Sequence, residues 1–267
     1  MTTPLSTQVT LRGVTKVFGS RLGRIEALGP IDLELRQGEF FAVVGPSGCG
    51  KSTLLDIIAA LAPPSSGTVT FEGQPIGERV PEGIGVVFQE NACFPWLNVA
   101  DNITFGLRRQ PVDNAEIERR LQYALRLMGL ADFARAFPSQ LSGGMRQRVC
   151  IARTLVMQPR LILLDEPFGA LDQQTRLLMG DELLRIWRAT GATVLLITHA
   201  LDEAAMLADR VAVMSARPGR IMEVIETCWP RDRDSRIVSA PEFGAITSRL
   251  WTLLRAQSLH ALQPVAT

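Results

Sequence analysis

Gly45-Pro46-Ser47-Gly48-Cys49-Gly50-Lys51-Ser52-Thr53 is the stretch whose reading decides the fold. It fits G-x-x-x-x-G-K-[ST], a loop that cradles phosphates. The flanks give that fit physical content. Before it, Phe40-Phe41-Ala42-Val43-Val44 is a short continuous apolar run, the pattern of a buried strand. After it, Leu54, Leu55, Ile57 and Ile58 read as a helix. A loop between such a strand and helix presents first-turn N–H groups that lack helical partners and carry partial positive charge. Gly45, Gly48 and Gly50 let the backbone wrap closely around phosphate oxygens. Lys51 is then placed to reach the β- and γ-phosphates, and the Ser52 hydroxyl to bind Mg²⁺. Pro46, Ser47, Cys49 and Thr53 complete the candidate nucleotide-binding loop. A glycine-rich turn matching by chance is the alternative.

Outward from this loop, the chain of 267 residues suits one sizeable α/β domain with a full core, with room for a subdomain. Hydrophobic content of 46% and charged content of 21% are ordinary for a soluble globular protein. A formal charge of +1 gives no electrostatic footprint for nucleic acid. Met1-Thr2-Thr3-Pro4-Leu5 lacks the basic and apolar regions of a secretory signal. No apolar run approaches the roughly 18–20 residues needed to span a bilayer. Cys49, Cys93, Cys150 and Cys228 are widely spaced and form no C-x-x-C pair. Reduced, mostly structural thiols in a cytosolic protein are expected, with no redox role for Cys49.

Upstream, residues 9–35 alternate apolar and polar, most cleanly at Ile31-Asp32-Leu33-Glu34-Leu35, which suits antiparallel strands with one wet face. Phe18 lies among them, either packed in the core or projecting a ring on which an adenine can stack. Downstream, Pro63-Pro64-Ser65-Ser66-Gly67 breaks the chain before a strand at Thr68-Val69-Thr70-Phe71. Ile84-Gly85-Val86-Val87-Phe88 is a further short strand ending on Gln89. From about 90 to 159 the pattern turns helical, with Ile117, Leu121, Ala124, Leu125 and Met128 on one face and Gly129 placed to stop the helix. This region is read as an α-helical subdomain inserted in the sheet domain. It contains Phe94 and Trp96 in a proline-broken loop. It ends in Leu141-Ser142-Gly143-Gly144, where Ser142 is a good N-cap.

Leu161-Ile162-Leu163-Leu164 has the character of an interior parallel strand and ends in Asp165-Glu166-Pro167. Adjacent carboxylates at a buried strand end are costly unless something positive or protic meets them. At a phosphate site Asp165 suits the Mg²⁺ shell and Glu166 the attacking water. Val194-Leu195-Leu196-Ile197 repeats the pattern and ends in Thr198-His199. That histidine is either a satisfied structural residue or a contact for a γ-phosphate. Strands at 210–215 and 219–225 follow. A polar link at 230–235 then leads to a helix at about 241–254.

In order and spacing these motifs resemble the ATPase subunit of an ATP-binding cassette (ABC) transporter. The resemblance covers roughly residues 8–225. It rests on the P-loop, Gln89, Leu141-Ser142-Gly143-Gly144, Asp165-Glu166, Ala170-Leu171-Asp172 and His199. Residues 94–102, 165–172 and 215–221 further resemble the nitrate, sulfonate and taurine importer ATPases. One departure is Ala200, where the family usually has Asp after the histidine.

The resemblance implies an α/β P-loop core with a mixed sheet, an antiparallel β subdomain and the inserted helical subdomain. The ATPase domain would span 8–228, with a short helical tail at 229–267. It implies ATP and Mg²⁺ as ligands. Phe18 would stack on adenine, Ser52, Gln89 and Asp165 would serve the metal, and Glu166 would polarise water. His199 would contact the γ-phosphate, and Asp172 would belong to the nucleotide site. Ser142, Gly143 and Gly144 would close over the ATP of a second ATPase subunit, with a homodimer expected. Transmembrane permease subunits are implied as partners, a solute-binding protein indirectly, and no nucleic acid. The expected place is the cytoplasmic face of the cell membrane, and the transported solute is not readable. Phe94 and Trp96 either line a groove for a permease helix or fill the subdomain core. A non-transport ABC ATPase of DNA repair or translation, and a P-loop kinase, are the competing classes.

Overall fold

The computed structural model describes residues 6–20, 23–77, 79–89, 92–169 and 171–262. Ala170, in an expected motif, and residues 263–267 of the expected tail lie outside these.

Ten strands form two sheets. In chain order they are β1 (Thr7–Ser20), β2 (Gly23–Arg36), β3 (Phe40–Val44), β4 (Ser66–Phe71), β5 (Gln74–Pro75), β6 (Ile84–Val87), β7 (Leu161–Asp165), β8 (Thr193–Thr198), β9 (Arg210–Met214) and β10 (Ile221–Glu226). An antiparallel sheet runs β2-β1-β4-β5, and a mixed sheet runs β10-β9-β3-β8-β7-β6. In the mixed sheet only the β9–β10 pair is antiparallel. The alternation at Ile31-Asp32-Leu33-Glu34-Leu35 appears directly as buried and exposed positions in β2.

The mixed sheet is a wall between two cores, because successive side chains of a strand point to opposite faces. Phe40, Ala42 and Val44 of β3 face one core while Phe41 and Val43 face the other. Strand β7 divides in the same way, Ile162 and Leu164 against Leu161 and Leu163, as does β8, Val194 and Leu196 against Leu195 and Ile197. Burial on both faces is why these strands read as unbroken apolar runs. One core lies between the mixed sheet, α1 (Lys51–Ile58) and the antiparallel sheet.

Helices cover the other face. They are α2 (Val99–Thr104), α3 (Asn114–Leu127), α4 (Gly143–Leu155), α5 (Gln173–Thr190), α6 (Leu201–Leu207) and α7 (Pro241–Leu262). Short polar side chains start four of them. Asn98, Asp113, Ser142 and Asp172 accept the N–H of Asp101, Glu116, Met145 and Thr175 at 2.8–3.3 Å, satisfying first-turn donors. Gly129, at φ +62°, ends α3 in the left-handed conformation that glycine adopts without strain.

The C-terminal stretch shares the helical-side core. Phe243, Leu250 and Leu254 are buried there, with Trp229, Ile237 and Ile246 packed against them. Helix α7 runs to Leu262, about two turns beyond the expected 254.

Candidate nucleotide site

The phosphate loop leaves the carboxyl end of β3, which is held in the sheet between β9 and β8. Its glycines are required by geometry at two positions. Gly50, the N-cap of α1, has φ +105°, and a Cβ there would meet Leu28 Cδ2 at 2.6 Å and the Ala27 carbonyl at 2.9 Å. Gly48, at φ +73° and exposed, turns the tip of the loop. Lys51 is buried, and its ammonium donates to the carbonyls of Gly45 at 2.8 Å and Pro46 at 3.1 Å. The cation is thus folded onto its own loop. Ser47 and Ser52 are exposed, Thr53 is half-buried, and Cys49 is buried, which pushes its thiol pKa up.

Asp165 closes the β7 run, 9% exposed, and its Oδ1 accepts the Ser52 hydroxyl at 3.2 Å. Burial pushes its carboxyl pKa up, opposed by the Ser52 hydrogen bond and reinforced by neighbouring Glu166. A hydroxyl and a poorly solvated carboxylate in contact are hard oxygen donors of the kind Mg²⁺ takes. That ion is commonly held by one or two carboxylates with substrate phosphates and water. Among the described residues no cluster of three or more His, Cys, Asp or Glu could cage a metal. The donor set fits an ion shared with phosphates.

Glu166 sits at φ +44°, a left-handed conformation costly for a non-glycine residue, and its N–H is tied to the Ile197 carbonyl at 2.8 Å. Its Oε2 accepts Gln89 Nε2 at 3.2 Å and lies 3.1 Å from His199 Nδ1. Gln89 follows β6, Glu166 follows β7 and His199 follows β8, three neighbours in the parallel part of the sheet. The phosphate loop follows β3, next to β8. Four consecutive strands therefore deliver the candidate groups to one edge, the carboxyl edge where open α/β sheets bind ligands.

The other expected residues lie apart from this cluster. Phe18, in β1, is 44% exposed, with the Lys16 ammonium 5.1 Å above its ring. Asp172 caps α5, and its hydrogen bonds from the Thr175 N–H and hydroxyl hold its pKa down. Ser142 caps α4 and is exposed, while a Cβ on Gly144 would meet nothing within 4 Å. Among the described residues no hydrogen bond or ion pair joins 142–144 to the phosphate loop.

Two positioning groups escaped the sequence reading. Asn102 is fully buried. It accepts the Phe94 N–H at 2.8 Å and donates to the carbonyls of Phe94, Leu97 and Asn98, fixing the loop that carries Trp96. Trp96 is 70% exposed, and the Phe94 ring lies 4.4 Å from that of Phe105 and beside Trp96. Glu203 of α6 is buried and accepts the hydroxyl of Thr198, the residue before His199, at 2.7 Å. Its other oxygen has no partner, and burial pushes its pKa up to about 7. The only signal for Asn102 was its place in the quoted importer-like segment. Helix α6 begins at Ala200 without a side-chain cap, and the Ala200 N–H is taken instead by the Thr198 hydroxyl.

A strand–phosphate loop–helix unit at the carboxyl edge of a mixed sheet, with a carboxylate pair on a neighbouring strand, defines a P-loop nucleotide-binding protein. The ABC transporter family model matches residues 28–169. A nitrate import ATP-binding protein of Synechocystis sp. is 40% identical over 264 residues, covering 95% of this chain and 97% of that protein. A taurine import ATP-binding protein of Burkholderia pseudomallei is 46% identical over 209 residues, covering 78% and 80%. Among solved structures, a dimeric ATP-binding cassette in a post-hydrolysis state bound to ADP and Pi aligns with a TM-score of 0.73 at 31% identity. It covers 83% of this chain and all of that one. CbiO1 of Clostridium perfringens, part of an ABC transporter complex, aligns at 0.76 and 27% identity, covering 96% and 100%. This chain belongs to the ABC transporter family.

Proposed function

We propose that the chain is the ATP-hydrolysing subunit of an importer for a small anion of the nitrate, sulfonate or taurine class. Its ATPase character rests on the family and on the cassette structures it resembles. The import assignment rests on relatives with import names that match most of the chain. The observation that carries the chemistry is the convergence of Gln89 and His199 on Glu166 beside the phosphate loop.

In this reading the loop amides of 45–50 and Lys51 hold the β- and γ-phosphates. Lys51 exchanges its contacts with Gly45 and Pro46 for phosphate oxygens. Ser52 and Asp165 would hold Mg²⁺, with Gln89 serving it or its waters, and the ion would supply charge neutralisation for the phosphates. Glu166 accepts a proton from the attacking water, its carboxylate aimed by Gln89 and by a backbone pinned to β8. His199 orients the γ-phosphate end of the site, and Phe18 and Asp172 bound the nucleotide.

Ser142, Gly143 and Gly144 act on the ATP of a second copy, where the α4 N-terminus faces the phosphates. The exposure of Ser142, the open space at Gly144 and the lack of any hydrogen bond or ion pair to the phosphate loop among the described residues support this sharing, as do the dimeric cassettes. Phe94 and Trp96, held by Asn102, present the surface on which a permease helix docks. Among the described residues no helix is long and apolar enough to cross a membrane. In this reading the chain works from the cytoplasmic face, bound to permease subunits that receive solute from a binding protein, as the import-named relatives suggest.

Glu166→Gln tests the assignment. ATP binding persists, and turnover of the variant in complex with its permease falls about 10²–10⁴-fold, the range for loss of a general base. Near-normal turnover refutes it.

A further inference from the structure

Cys93 and Cys150 are 57 positions apart in sequence, yet the fold brings their sulfurs to 3.5 Å. Cys93 lies in the segment that leads from Gln89 into the helical layer, and Cys150 lies on α4, the helix that Ser142 caps. Cys93 is half-buried, with its Sγ 3.4 Å from the Arg146 carbonyl, and Cys150 is buried. Two guanidinium groups surround the pair. Arg153 donates to the Ala92 carbonyl at 2.8 Å and lies over the Phe94 ring, and Arg146 donates to the Leu141 carbonyl at 2.6 Å.

The two thiols differ in a useful way. The hydrogen bond from Cys150 holds the Cys93 pKa down against burial, with Arg153 and Arg146 adding to the effect. The hydrogen bond with Cys93 pushes Cys150 up, and burial adds to it. Cys93 therefore gives up its proton, to yield the nucleophilic thiolate, more readily than Cys150, which stays protonated beside it and is able to resolve an oxidised intermediate. The other two cysteines lack such a neighbour in the described residues. Cys49 is buried in the phosphate loop and Cys228 is exposed by itself.

We propose that Cys93 and Cys150 form a peroxide-responsive dithiol site whose closure to a disulfide slows ATP turnover. In the first step the Cys93 thiolate attacks one peroxide oxygen and the O–O bond breaks. The departing hydroxide takes up the proton released by Cys93, giving water and a Cys93 sulfenic acid. Next the Cys150 sulfur attacks the Cys93 sulfur, the S–O bond breaks, and the hydroxyl leaves as a second water with the Cys150 proton. Two thiols and one peroxide become one disulfide and two waters, and a dithiol reductant reverses the change by exchange.

Displacement carries the effect on turnover, and this half of the inference rests on the ATPase reading. A disulfide holds its sulfurs about 2 Å apart, so bonding draws them together by about 1.5 Å. Helix α4 is anchored in the helical-side core by Val149, Ile151 and Ala152, and Asn102 holds the chain from Phe94 onward, so the movement falls on Cys93 and is passed toward Gln89. Gln89 is four residues upstream, and its amide reaches Glu166 at 3.2 Å. A pull of even half that size takes this hydrogen bond beyond its working range.

The test treats the reduced full-length chain, bound to its permease, with hydrogen peroxide, blocks remaining thiols, and maps linked peptides by mass spectrometry while ATP turnover is followed. A 93–150 linkage is expected, with turnover falling about fivefold or more, the low end of coupling between separate sites. Dithiothreitol restores turnover, and Cys93→Ser and Cys150→Ala keep their activity and lose the sensitivity. Oxidation of Cys228 without any 93–150 linkage overturns the site, and linkage with unchanged turnover overturns its effect on catalysis. Absence of turnover in the reduced, permease-bound chain counts against the ATPase reading instead, and the peptide map still decides whether the dithiol site exists.

Discussion

The phosphate loop with its strand-end carboxylates and the segment at Ser142 differ in how complete they are. On the sheet side every group has an intramolecular partner: Lys51 on loop carbonyls, Ser52 on Asp165, and Glu166 with Gln89 and His199. On the helical side Ser142 serves only its own helix, and Gly144 faces open space. The sheet side is held by strands buried on both faces, whereas 142–144 sit at a helix start on the surface. Under the proposed function, the assembled sheet edge and the open start of α4 are complementary halves of a shared site.

An all-or-none experiment can break this comparison. A defined heterodimer of one Lys51→Ala chain and one Ser142→Arg chain places both defects in one composite site and leaves the other whole. ATP occlusion at one site is expected in the heterodimer and at neither site in either mutant homodimer. Equal occlusion in all three would mean that each chain builds its own site.

The sheet half can be sharpened through Glu203, a buried carboxyl that the helical half lacks. It faces the Thr198 hydroxyl of β8, Arg176 of α5 and Glu166 beyond β7. Its pKa rises from 4.5 to about 7 on folding, so the folded chain binds the proton more tightly than the unfolded chain. The sign follows from linkage. Stability falls as pH rises from about 4.5 to about 7, by up to about 3 kcal/mol, and stays lowered above that. Glu203→Gln is expected to remove this slope, so the variant gains on the parent in denaturant unfolding at pH 8 and loses the advantage near pH 4. A constant difference between the two across that range would show that Glu203 is not titrating.

A smaller effect concerns the helical half. Ser142→Ala removes one N-terminal cap and is expected to cost about 1 kcal/mol, a fall in melting temperature of about 2–4 °C for a chain of this size. An unchanged melting temperature would mean that the Ser142 hydroxyl does not support α4 in the free chain.

The same contrast separates what the sequence made legible from what it hid. Strands β3, β7 and β8 were readable because burial on both faces demands unbroken apolar runs, and the phosphate loop because its glycines sit where backbone geometry requires them. Ser142 marks a helix start by a local rule that needs no tertiary context. Glu203 was not readable. In Asp202-Glu203 it looks like half of an ordinary acidic first turn, and only the docking of α6 on β8 buries one carboxylate and leaves its neighbour outside. Asn102 hides likewise, since four hydrogen bonds to a loop leave no periodic trace. The packing of α7 into the helical-side core depends on surfaces supplied by distant segments, so the chain after 228 read merely as a tail.

The order of strands in the mixed sheet also has a consequence in time. Strand β3 carries the phosphate loop, yet both of its partners, β8 and β9, come late in the chain. A ribosome adding about 5–20 residues per second needs about 8–30 seconds to travel the roughly 150 residues from β3 to β8. Throughout that interval Phe40-Phe41-Ala42-Val43-Val44 has been made and the strands that flank it have not. The segment that ends as the best-buried ribbon of the molecule begins as its longest-waiting adhesive surface, and every nascent copy depends on keeping that surface shielded until β8 emerges.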